Sequence, residues 1–111
     1  MEYAVLIYGD EKAWEARTEE ELRDLGERHR RFAGLLTERG AKFTGRELAS
    51  VASATTVRKQ QGDAVSVTDG PFAETAEVLG GLYLVEAADL DEMIALVGIL
   101  PEATIEIRPI A

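Results

Sequence analysis

The sequence predicts an α+β protein in which two helices cover one face of a mainly antiparallel sheet, the split β-α-β arrangement. Three observations lead there. Apolar runs at Tyr3 to Tyr8 and Leu82 to Val85 read as strands covered on both sides, and each is followed downstream by a capped amphipathic segment of helical period. Between them, two Thr/Val-rich segments flank Gln61-Gly62-Asp63 and read as a hairpin. At 111 residues the chain is expected to form one domain.

Tyr3 to Tyr8 is apolar at successive positions, whereas an edge strand with one wet face would alternate. It is therefore expected to be central. Gly9 to Arg17 reads as a polar connector carrying the only tryptophan, Trp14, either packed over the end of the sheet or forming a lid over a pocket. Thr18 with Glu21 forms a capping box, and Glu19 and Glu20 favour the positive end of a helix dipole, so a helix is predicted from Glu19 to Arg39. Leu22, Leu25, His29, Phe32 and Leu36 make one ladder along it. His29 thus falls in the centre of an apolar stripe, as a satisfied core histidine or as a proton acceptor lining a cavity between helix and sheet. Arg28 and Arg31 flank the stripe, covering its edge or facing an anionic substrate.

Gly40 is a C-cap signal. Lys42 to Leu48 has room for a second strand with Phe43 as its core contact, and Ala49 to Ser53 is a connection of small residues. The hairpin segments, 54–60 and 64–68, deliver Asp69 to the end of a strand. Asp69-Gly70-Pro71 then turns the chain: Asp bonds back to its own backbone, Gly tolerates positive φ, and Pro sets φ while removing a donor. That turn is structural unless Asp69 has a partner, and the lone histidine, His29, is the candidate.

Ala73 to Leu79 is too short between breakers for a helix. Gly80-Gly81 permits close backbone approach or a positive-φ turn, but it lacks the spacing and lysine of a phosphate-binding loop. Asp89 with Glu92 repeats the capping logic for a second helix, with Leu90, Met93, Ile94 and Val97 as its apolar face and Gly98 and Pro101 closing it. Thr104 to Arg108 is the last strand, ended by Pro109. This order leaves an apolar sheet face opposite the helices. A homodimer through that face is the expected cover.

Composition narrows the function. Twenty-one acidic against 12 basic residues give a formal charge of -9, unfavourable for nucleic acid and for anionic membranes. There is no cysteine and one histidine, so no thiolate chemistry and no multi-histidine metal site is expected, and no cofactor is called for. The first apolar run is too short for a signal peptide and no stretch has spanning length, which leads to a cytoplasmic expectation.

Leu6 to Glu11 with Trp14, the helix bearing His29 and Phe32, Val67 to Thr75, Gly80 to Leu84 and Glu106 to Pro109 together resemble the YCII-related family, in particular its DGPF-domain branch. The similarity runs along nearly the whole chain. It implies a ferredoxin-like α+β fold of the dimeric α/β-barrel type, with an active-site histidine and aspartate facing one cleft; these map onto His29 and Asp69. Relatives are often encoded near, or fused to, extracytoplasmic-function sigma factors.

Two function classes follow. In one, the protein is a cofactor-independent enzyme: Asp69 orients one nitrogen of His29, the other takes a proton from a small substrate, and Gly70 offers an N–H to developing oxyanion charge, supporting isomerisation, dehydration or elimination. In the other, the dimer is a small-ligand or partner-binding module, and His29 and Asp69 are a polar pair fixing helix against sheet.

Overall fold

The computed structural model describes residues 1–111. The elements are β1 (Glu2–Gly9), α1 (Glu11–Glu15), α2 (Glu19–Glu38), β2 (Phe43–Glu47), a 3₁₀ turn (Val51–Ser53), β3 (Thr55–Lys59), β4 (Val65–Asp69), β5 (Val78–Glu86), α3 (Leu90–Val97) and β6 (Thr104–Pro109). A four-stranded sheet runs β2-β5-β1-β6 with every neighbour antiparallel, and β3 pairs with β4 in a separate sheet. β1 is central, as its apolar run requires.

The expected dimeric α/β-barrel is overturned. The molecule is a mixed α+β fold with two open sheets: β2 and β6 lie at opposite ends of the larger one, and the hairpin stands apart instead of joining it. The larger sheet ends at β2 and β6, and the chain's own strands close no barrel.

Alternation along β1 sends Tyr3, Val5 and Ile7 inward, where they meet Phe32 and Leu36 of α2, Val85 of β5, and Met93, Leu96 and Leu100 around α3. Phe32, Leu36, Val5, Val85 and Met93 are fully buried. Both predicted caps form: Thr18 accepts from the Glu21 N–H with Glu21 reaching back, and Asp89 accepts from the Glu92 N–H. α2 ends in a Schellman arrangement, with Gly40 at φ 67° and the Ala41 N–H donating to the Leu36 carbonyl at 3.0 Å.

Three local expectations are corrected. The connector after β1 contains the short helix α1, started by Asp10, whose side chain accepts from the Lys12 N–H at 3.0 Å. α3 buries Met93 and Leu96 and leaves Leu90 and Ile94 about half exposed, because apolar residues surround most of so short a helix and spacing does not select a face. Of the two expectations for Gly80 and Gly81, close approach holds and the turn does not: β5 passes through them, and the β1–β5 register shifts there, with Ile7 opposite Gly81 and Tyr8 opposite Leu79.

Close approach explains Gly80. The Trp14 indole lies where a Cβ on Gly80 or Gly9 would sit. Gly80→Ala is expected to displace the indole and cost about 1–3 kcal/mol by overpacking, read as a shifted tryptophan emission together with a lower urea midpoint.

The hairpin projects. The radius of gyration reflects it: the chain measures 16.4 Å, against about 13 Å for a compact chain of this length. Thr55, Val57 and Lys59 face the same side as Val65, Val67 and Asp69, and Val57, Val65 and Val67 are each more than half exposed.

Candidate active site

A cavity of about 490 Å³ opens between α2, α1 and the β2–β5 edge of the sheet. Its size suits a small organic molecule. Ile7, Leu25 and Phe43 supply apolar wall, His29, Tyr83 and Glu102 form a polar cluster, and Arg17, Arg46 and Glu47 add charged groups. α1 is fixed beside it because the Glu11 carboxylate accepts from the Val51 N–H and the Ser50 hydroxyl, both at 3.1 Å. That clamp holds Trp14 as part of the cavity wall.

His29 emerges from the middle of α2 as the stripe predicted, and both ring nitrogens are engaged. Nδ1 lies 2.6 Å from the Tyr83 hydroxyl, and Nε2 lies 2.9 and 3.1 Å from the two oxygens of Glu102. The Glu102 side chain is only 6 % exposed against 24 % for His29, so the carboxylate's principal polar contact is the imidazole. Tyr83 is held on its other side by Phe32, whose ring meets it edge-on at 4.9 Å, and beneath by Gly45, where a Cβ would come within 2.7 Å of the phenol ring.

Burial, and secondarily the negative charge of Glu102, push the Tyr83 phenol above its ordinary value of 10.0. The hydroxyl therefore keeps its proton at neutral pH and donates it to Nδ1. With Nδ1 as acceptor, Nε2–H is the donor to Glu102, which defines one tautomer of the ring. Because the folded protein holds this proton more tightly than the unfolded chain, its contribution to stability is intact below pH about 10 and is lost as pH rises through the folded value. Alkaline denaturation should accordingly be less steep in Tyr83→Phe than in wild type; Tyr8, also raised by burial and by Glu106, contributes the same sign in both.

Asp69 stands elsewhere. It ends β4 on the projecting hairpin, exposed, and it neither lines the cavity nor bonds to His29. The structure does not bring the two predicted residues together within one chain. The Gly70 N–H is also spent, donating to the Ala54 carbonyl at 2.6 Å, so it is not free for an oxyanion. Arg28 pairs with Asp24 at 3.2 Å along the helix, and neither it nor Arg31 lines the cavity.

Sequence reasoning missed Tyr83 and Glu102. Each left a trace. Tyr83 is the one hydroxyl-bearing residue in the otherwise aliphatic run Leu82 to Val85, and a buried tyrosine hydroxyl needs a partner; Glu102 is the lone charge in the run from Ile94 to Thr104. No three potential ligand side chains gather at a point that could hold a metal ion. No helix is long and apolar enough to cross a membrane.

Fold and site together define a small α+β protein with a histidine held between a phenol and a carboxylate at the wall of an apolar cavity. The chain belongs to the YCII-related domain family, whose model matches residues 1–111. It is similar to an uncharacterized protein of Rhizobium meliloti (strain 1021), 38 % identical over 120 residues, an alignment that covers 100 % of this chain and 93 % of that protein.

Proposed function

We propose that the protein is a cofactor-independent acid–base enzyme acting on a small molecule in this cavity, with His29 as its central proton carrier. The Tyr83–His29–Glu102 chain of hydrogen bonds carries the reading. Since both His29 nitrogens are engaged, the group that meets substrate is the Tyr83 oxygen. It takes a proton from a carbon acid while its own proton passes to Nδ1, and Glu102 stabilises the imidazolium that results. Returning the proton at a neighbouring carbon gives isomerisation; expelling a leaving group gives elimination or dehydration. The raised phenol value means that no phenolate is stored beforehand, so the two transfers are concerted.

We propose further that a second copy of the chain docks on this one, with Asp69 outside the Tyr83–His29–Glu102 scheme because both His29 nitrogens are already engaged. The exposed valines of the hairpin support such docking, since an isolated two-stranded ribbon is marginal in water, and Ala4, Leu6, Leu82 and Leu84 on the sheet face away from the helices offer apolar surface to a partner. Sedimentation should give a homodimer at micromolar concentration and a monomer for the Val57→Asp, Val67→Asp double variant. The run Asp69-Gly70-Pro71-Phe72 supports placing the chain in the DGPF branch of its family.

Hydrogen exchange at carbon tests the reading across a whole class of substrates at once. Small carbonyl acids are incubated with the protein in heavy water, and deuterium incorporation at carbon is followed by proton NMR. Exchange by wild type that is lost in folded His29→Gln supports acid–base chemistry; binding without exchange would instead make the protein a ligand-binding module.

A further inference from the structure

Arg17 lies in the connection between α1 and α2, just before the N-cap Thr18, with its guanidinium carbon 5.6 Å from the centre of the Trp14 ring. It lines the cavity, yet it has no carboxylate within ion-pair distance and its side chain makes no hydrogen bond, whereas Arg28, Arg39 and Arg108 are each paired. Stacking on an indole that is itself wedged against Gly9 and Gly80 gives this cation a defined place at little conformational cost. The cavity wall holds three other charged side chains: Glu102 is engaged by His29, Arg46 donates to the Gly45 carbonyl at 2.6 Å, and Glu47 makes no ion pair, which leaves Arg17 as the lining cation with no hydrogen-bond partner.

We infer that the cavity binds a small planar carboxylate, its acid group on Arg17 and its flat apolar body against Trp14 and Phe43. The chemistry of the wall selects this class. A guanidinium offers a planar fork of N–H donors matched to a carboxylate, and the indole and phenyl surfaces beside it favour a conjugated or aromatic body. A conjugated acid also carries the activated carbon that the Tyr83–His29 pair needs, so the inference deepens the proposed acid–base reading and rests on its site. Its test is a binding measurement and stands independently of turnover.

Trp14 is the only tryptophan, so its fluorescence reports directly on this wall. The probes are benzoate and trans-cinnamate, with benzyl alcohol and cinnamyl alcohol as their uncharged counterparts. The expected result is saturable quenching by the acids, affinity at least about 10-fold weaker for the alcohols, and a loss of about 10-fold or more for the acids in Arg17→Gln. Arg17→Lys, which keeps the charge and loses the fork, should recover part of that loss. His29→Gln should still bind the acids. Equal affinity for acids and alcohols, affinity unchanged in Arg17→Gln, or absence of saturable quenching by either acid would each overturn the inference. Carboxylate binding retained in a protein that catalyses no exchange would uphold it while removing the enzymatic reading.

Discussion

Phe32→Ala is expected to lower the free energy of unfolding by about 3–5 kcal/mol, the range for truncating a buried aromatic. Phe32 is fully buried where α2 crosses the sheet, inside the cluster formed by Val5, Leu36, Val85 and Met93. Removing its ring deletes apolar burial and opens a cavity in the middle of that cluster. Against a typical total of about 5–15 kcal/mol, the loss takes a large share of stability. Urea denaturation followed by circular dichroism should show a lower midpoint with an unchanged slope, and Phe32→Leu should lose less because it refills part of the space. The effect also reaches the site, since the Phe32 ring supports Tyr83 edge-on. A variant that lost less than about 1 kcal/mol would contradict this packing, since that is below the range for a truncated core aromatic.

Tyr83→Phe is expected to reduce proton exchange by about 10²- to 10⁴-fold, the usual worth of a positioned acid or base. The substitution removes one oxygen and leaves the ring, so packing against Phe32 and over Gly45 is kept. The loss should fall in kcat with KM little changed, because in the proposed mechanism the hydroxyl acts on the proton in flight, whereas the wall formed by Leu25 and Phe43 is untouched. Glu102→Gln should reduce kcat too, since an amide stabilises imidazolium less than a carboxylate does. Wild-type rates in folded Tyr83→Phe would remove the phenol from the mechanism and leave His29 to act alone.

The local decisions of this chain were legible in its residues. Thr18 with Glu21 and Asp89 with Glu92 start the two main helices where their capping pattern says, because a cap needs only neighbours three positions apart. Gly40 ends α2 for the same reason. The apolar run at Tyr3 to Tyr8 was enough to put β1 in the middle of a sheet, and the ladder through Leu25, Phe32 and Leu36 was enough to aim His29 at its inner face.

What tertiary structure alone decided was which distant groups meet. The partners of His29 lie 54 and 73 residues away, at Tyr83 and Glu102, and the Asp69 carboxylate that looked suited to it is carried off on a hairpin forming its own sheet. A one-residue shift in strand register would have sent Tyr83 to the opposite face. The openness of the sheet was undecidable in the same way, because where β2 and β6 end up depends on long-range pairing that no local pattern encodes. Caps and periodicity are short-range and written in adjacent side chains; a site assembled from α2, β5 and the segment after α3 exists only once long-range packing has chosen among many chemically acceptable partners.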